Sequence, residues 1–176
     1  MAEKSALLVM EMQQDYFWEK RLKKFHFDGE ALTAKVNAAI AHYSAAGADI
    51  VYIAQIFPDS PTNHLVFGFN MEGTEGAKLD PRLSVVSEHY FEKNTADVFT
   101  DANIRAFLQE NGYTHLILCG IDLCGGILAT AKGAAAAGLS VTVLSDCSAT
   151  RLDARKIAET KMALAQCGAK VSPMDQ

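Results

Sequence analysis

Three short stretches of this sequence hold residues that could do chemistry together. Glu11 stands directly after the apolar run Ala6-Leu-Leu-Val-Met10, where a carboxylate costs several kcal/mol to bury unless something compensates. Such a group could transfer protons, or it could simply cap or pair locally. Lys93, in Phe91-Glu92-Lys93-Asn94, follows another strand-like run, where a lysine is most often a solvated surface residue. The third stretch is Cys119-Gly-Ile-Asp-Leu-Cys-Gly-Gly126, leading into a helical pattern. A glycine pair that opens a helix lets backbone N–H groups approach a ligand oxygen, and the helix N-terminus favours negative charge. Cys124 in that turn is either a nucleophile or a small buried hydrophobe.

Other chemistries are not encoded. No Gly-Lys-Ser/Thr follows the glycines as in a phosphate loop, and G-x-G-x-x-G is absent. The five histidines (His26, His42, His64, His89, His115) form no H-E-x-x-H and no zinc spacing with cysteine. The sequence therefore predicts neither a metal nor a cofactor.

The elements that must position these residues alternate along the chain. Buried strands are expected at Leu7–Met10, Ile50–Ile56, Leu116–Gly120, Val141–Ser145 and Ala169–Val171, all rich in Val, Ile and Leu. Helices are expected at Glu30–Ala46, Ala102–Asn111 after an Asp101 cap, Ile127–Ala137 and Asp153–Gln166, each followed by glycine. Strand-helix repetition of this kind predicts a three-layer α/β fold, Rossmann-like, with a mostly parallel central sheet covered by helices on both faces. In such a sheet ligands bind beyond the carboxyl ends of the strands, where Glu11, Lys93 and the Gly125–Gly126 turn would all arrive. Asp59–Arg82 is polar and long for a connection and reads as a functional loop. Glu88–Thr100 mixes a short strand-like piece with charged residues.

At 176 residues, 49% hydrophobic and 21% charged, the chain suits one folded domain spanning residues 1–176 rather than disorder. A net charge of −5 without a basic cluster argues against nucleic acid or an anionic membrane as partner. No apolar stretch reaches the ~18 residues of a membrane helix. The opening apolar run is too short for a signal segment, so a cytoplasmic protein with reduced thiols is expected.

Taken together, these segments resemble the isochorismatase-like hydrolases, the cysteine hydrolase superfamily. That family opens on A-L-L-V-I-D-M-Q-N-D-F, and this chain has Ala6-Leu-Leu-Val-Met-Glu-Met-Gln-Gln-Asp-Tyr-Phe17. The family's G-T-x-G-a-x-L-x-P-x-L run is matched by Gly73-Thr-Glu-Gly-Ala-Lys-Leu-Asp-Pro-Arg-Leu83, and Lys93 and Phe99 keep the spacing of its catalytic lysine and a later Phe. Its turn c-G-v-x-t-x-x-C-v-x-x-T-a is matched by Cys119-Gly-Ile-Asp-Leu-Cys-Gly-Gly-Ile-Leu-Ala-Thr-Ala131. The likeness runs from about residue 5 to residue 172.

The resemblance implies an Asp, Lys and Cys catalytic set, and two of the three are changed. Glu11 stands at the Asp position and Gly126 at the nucleophile; Lys93 is kept. In amidase members the thiolate attacks a carbonyl, the Asp moves protons and the Lys holds both in their charged forms. The isochorismatase branch also has Gly at that point and uses its Asp with a water, but Glu is one methylene longer. A misplacement of about 1 Å can cost on the order of 10²-fold in rate. The D-x-H metal pattern of nicotinamidase members is missing after Ile56, where Phe57-Pro-Asp-Ser-Pro stands. The resemblance also implies a cis peptide near Ile121–Asp122, a homo-oligomer (dimer or tetramer), and a small-molecule pocket walled by Phe17, Trp18 and Phe67, with Asp122 and Leu123 contacting substrate.

Three expectations follow. The first is a hydrolase of a C–N bond or vinyl ether without the usual thiol, in which Glu11 transfers protons, Lys93 tunes it and the Gly125 and Gly126 N–H groups form an oxyanion hole. A variant of it uses Cys124, two residues early, as nucleophile. The second is an inactive relative that keeps the fold as a ligand-binding or oligomeric module. The third, a nucleotide-binding module, lacks its phosphate loop.

Overall fold

The computed structural model of the protein describes residues 4–174. Six strands form one sheet: β1 Ser5–Met10, β2 Asp49–Gln55, β3 Tyr90–Lys93, β4 His115–Ile121, β5 Ser140–Ala149 and β6 Lys170–Ser172. They lie in the order β3-β2-β1-β4-β5-β6, every pair parallel. The helices are α1 Gly29–Ala45, α2 Pro61–Val66, α3 Ala102–Glu110, α4 Leu128–Ala136 and α5 Ala154–Gln166.

Successive strand side chains point to opposite faces, and both faces are covered. Ala6, Leu8 and Met10 of β1 join Val51, Ile53, Leu116 and Leu118 in a core shared with Ile104 and Leu108 of α3, Ala131 and Ala134 of α4, and Leu164 of α5. Leu7 and Val9 join Ile50, Tyr52, Ile117 and Cys119 in a second core against Leu32, Val36, Ala39 and Ile40 of α1. Burial on both sides explains why the central strands read as unbroken apolar runs.

Helix starts follow local chemistry. Asp28 accepts from the Ala31 N–H at 2.9 Å, Asp101 from those of Asn103 and Ile104, and Asp153 from that of Lys156 at 2.9 Å, which satisfies orphan donors of α1, α3 and α5. One element was not expected, and another was read only as a strand-like piece. Helix α2 lies inside the Asp59–Arg82 stretch, started by the Ser60 hydroxyl and Pro61. Strand β3 pairs in register with β2, Tyr52 opposite Tyr90 through Gln55 opposite Lys93. The sequence shows it only as a short strand-like piece among charged residues because Tyr90 and Glu92 are exposed on this edge strand.

The topology creates the site. The chain starts at the sheet centre with β1, builds outward through β2 and β3, then returns to place β4 on the other side of β1. Connections therefore diverge past the carboxyl ends of β1 and β4, which leaves a crevice there. Among the described residues no helix is long and apolar enough to cross a membrane.

Candidate active site

Glu11 follows the last residue of β1 and has a left-handed backbone, φ 54°, which is uncommon for a residue with a Cβ. Its N–H donates to the Ile53 carbonyl at 2.7 Å, and its own carbonyl accepts from the Gln13 N–H at 2.8 Å. Next to it Gly120 of β4 has φ 105°, and a Cβ there would lie 2.1 Å from the Met10 carbonyl oxygen. Only glycine lets β4 end so close to β1.

Lys93 ends β3, two strands from β1, or roughly 10 Å at the usual strand spacing. Its side chain crosses the end of β2 and is fully buried. The ammonium donates to Glu11 Oε1 at 2.7 Å, Gln55 Oε1 at 2.7 Å and the Thr95 carbonyl at 3.0 Å, so all three of its donors are used. Glu11 Oε2 accepts from the Tyr16 hydroxyl at 3.0 Å. Burial, and next the Glu11 carboxylate, push the Tyr16 phenol well above its ordinary range. Gln55 is held in turn by Gln13, which donates to the Gln55 carbonyl at 3.0 Å and accepts from its N–H at 2.8 Å. The result is a buried ion pair with every polar atom engaged, the condition under which such a pair survives desolvation.

The turn after β4 contains a cis Ile121–Asp122 peptide, as the resemblance implies, and a short helical segment, Leu123–Ile127, that is kinked at Gly125 (φ −115°, ψ −105°) before it feeds α4. Gly126 faces Glu11: a Cβ built on it would lie 2.6 Å from Glu11 Oε1. The longer acid thus takes up the room that a side chain at position 126 would need. Of the two expected oxyanion donors, the Gly125 N–H is already given to the Asp122 carbonyl at 3.0 Å, which leaves Gly126 as the candidate.

Glu11, Gly125 and Gly126 line a cavity of about 510 Å³ together with Asp122 and Phe67. Other sequence candidates lie elsewhere. Phe17 and Trp18 are not in its wall: the Phe17 ring packs against Phe27 and the Arg82 guanidinium, and Trp18 carries the Lys20 ammonium 4.0 Å above its ring. The loop turns them away because Tyr16, rather than its neighbours, points inward. Leu123 is buried in the core on the α4 side of the sheet. Cys124 lines a separate groove with Leu128, Leu152 and Lys156, and its N–H is pinned to Asp122 Oδ1 at 2.9 Å.

The sequence reading missed Tyr16, Lys24, Phe25, Gln55, Phe57, Phe69 and Arg151, all of which line the cavity. Gln55 could have been found by the strand-end argument that selected Glu11 and Lys93. Phe57, Phe67 and Phe69 come from the long connection: the first two rings stack at 3.8 Å and 5°, and Phe69 meets both edge-on. Arg21 ties this connection to the loop after β1, reaching Asp15 at 3.1 Å and the Gly68 carbonyl at 2.6 Å.

A doubly wound sheet with a buried carboxylate–lysine pair at its switch point, under a small cavity, defines a class of small-molecule α/β proteins. Comparison narrows the class: the Isochorismatase domain family matches residues 5–176, and the chain belongs to that family. It is 28% identical over 153 residues to the uncharacterized isochorismatase family protein YddQ of Bacillus subtilis (strain 168), covering 83% of this chain and 78% of that protein. It is 26% identical over 158 residues to a probable inactive nicotinamidase of Arabidopsis thaliana, covering 82% and 80%. The structure of an isochorismatase-like hydrolase from Alkaliphilus metalliredigens shares the fold, with a TM-score of 0.85 at 22% identity over 98% of this chain and 96% of that one. Asp59 and His64 pair at 2.7 Å on the surface, and no three His, Cys, Asp or Glu side chains cluster as ligands among the described residues.

Proposed function

We propose that the protein is a thiol-independent hydrolase of a small polar molecule, with Glu11 as the proton-transfer group and a C–N bond as the preferred target. The observation that carries this reading is the position of Glu11 Oε1, 2.6 Å from where a nucleophile's Cβ would stand on residue 126. A carboxylate there, paired to Lys93, is a base aimed at the space where a reacting carbonyl would sit. Glu11 takes a proton from water, the resulting hydroxide adds to the carbonyl carbon, and the oxyanion forms toward the Gly126 N–H. Glu11 then passes the proton to the departing nitrogen as the C–N bond breaks. Lys93, Tyr16 and Gln55 hold the carboxylate in place. Hydrolysis of a vinyl ether would instead need Glu11 to deliver a proton before any water is activated, whereas the amide route begins from the carboxylate paired with Lys93.

One observation favours a second reading. Both Glu11 oxygens are already engaged, by Lys93 and Tyr16, as suits a protein that keeps the cavity for binding alone. A hydrolysis screen of small amides, ureides and vinyl ethers separates the two. The hydrolase reading expects turnover of an amide or ureide that falls by about 10²–10⁴-fold in Glu11→Gln and is lost in Lys93→Ala. Turnover that is indifferent to both changes, or none across the screen, overturns it.

A further inference from the structure

The cavity has a charge pattern that the chemistry at its floor does not use. Its wall includes two cations, Lys24 and Arg151, which arrive from opposite sides of the switch point: Lys24 from the loop after β1, Arg151 from just beyond β5. Neither is matched by a carboxylate. The Lys24 ammonium, half-buried, donates to the Phe67 carbonyl at 3.2 Å and lies 4.3 Å from the Phe69 ring centre, which leaves donors unused. Arg151 is exposed and has no carboxylate partner among the described residues. Arg21 beside them is different, since Asp15 neutralises it at 3.1 Å.

Of the two acids in the same wall, Glu11 is charge-balanced by Lys93, and Asp122 is a single negative charge against the two cations. Glu11 belongs to Lys93 and Tyr16, and Asp122 Oδ1 caps the Cys124 N–H. Burial first, then Arg151 and Arg21, push the Lys24 ammonium below its ordinary range. Burial and a neighbouring cation both weigh on this ammonium, and a bound anion would relieve both. The same wall carries Phe25, Phe57, Phe67 and Phe69, and the stacked Phe57–Phe67 pair offers a flat apolar face.

We propose that Lys24 and Arg151 are specificity-determining residues that select small molecules bearing a carboxylate or similar oxyanion remote from the reacting bond, with a flat apolar body between the two. The inference rests on the proposed function for the orientation of the substrate, reacting group at Glu11 and anion at the mouth. The binding preference itself does not need turnover. Arg151 offers a planar fork suited to a two-oxygen anion, and Lys24 a point charge beside it.

The test uses benzoate and benzamide, a matched anionic and neutral pair, titrated by calorimetry into the parent, Arg151→Gln, Lys24→Met and the double variant. Benzoate should bind the parent at least about tenfold more tightly than benzamide. It should weaken about tenfold or more in the double variant while benzamide changes little. Arg151→Gln alters only an exposed side chain, so it reports even where Lys24→Met perturbs its loop. Equal affinity of the parent for both probes, or benzoate affinity unchanged in Arg151→Gln and the double variant, overturns the proposal. If the screen also yields a substrate, KM for its anionic form should rise in the variants with kcat kept within about twofold. Absence of any turnover with benzoate selectivity intact would sink the hydrolase reading and leave this one standing.

Discussion

Glu11 and Gly126 occupy one space between them: a Cβ on residue 126 would lie 2.6 Å from Glu11 Oε1, closer than real contacts allow. The pair is coupled by volume. The Glu11 oxygen is also held by Lys93, so it cannot swing away without loss of the ion pair.

Gly126→Ala alone should therefore cost about 1–3 kcal/mol. In a Glu11→Asp background the same change should cost less, with a coupling of about 0.5–3 kcal/mol in urea denaturation. Additive costs would mean that the backbone at residue 126 yields and that the two positions are independent. By the same reasoning Glu11→Asp/Gly126→Cys should fold, with a thiol pKa below the reference of about 8.5, lowered by the helix start and Lys93. Alkylation rate against pH measures it, and an unshifted thiol would show that residue 126 does not face Lys93.

Lys93→Met should be among the most damaging single changes. It leaves Glu11 buried without its cation, at about 3–5 kcal/mol. Glu11→Gln/Lys93→Met removes both charges and should recover most of that loss. Thermal or urea unfolding of the three proteins decides the matter; a double variant no better than Lys93→Met would mean the ion pair is not the source of the cost.

Cys124 should be dispensable for anything that happens in the main cavity. Its side chain lies in the groove with Leu128, Leu152 and Lys156, away from Glu11. Cys124→Ser should leave benzoate affinity and any hydrolysis within about twofold. A selective loss of turnover with unchanged folding would restore the thiol to the mechanism.

Alkaline pH should unfold the protein through its phenols. Tyr16, Tyr43, Tyr52 and Tyr113 are pushed above their ordinary range, in each case first by burial. A group whose folded pKa is raised gives stability that is whole below the unfolded value of about 10. That stability is lost as pH rises above it, because the unfolded chain releases its proton first. Phenolate absorbance should lag behind free tyrosine and then rise together with loss of structure, and Tyr16→Phe should flatten the fall in stability above pH 10. Phenolate formation at the ordinary range in the still-folded protein would contradict this.

The order of elements was readable from the sequence because periodicity and capping are local. Runs such as Leu7–Met10, and the Asp101 cap, act on neighbours a few residues away, and the parallel sheet follows from the alternation of strands and helices. The same logic put Glu11, Lys93 and Gly126 at one sheet edge, since each follows a strand. What the sequence could not supply was direction. Phe17 and Trp18 have the composition of a pocket wall, yet Tyr16 is the residue that turns inward. Leu123 and Cys124 open a segment kinked at Gly125, and neither side chain ends in the cavity wall. The partnership of Lys93 with Gln55, the use of the Gly125 N–H by Asp122, and the meeting of Lys24 with Arg151 across the switch point all join residues distant in the chain or depend on a single torsion. Such relations are set by how the strands and loops pack, and tertiary structure alone decides them.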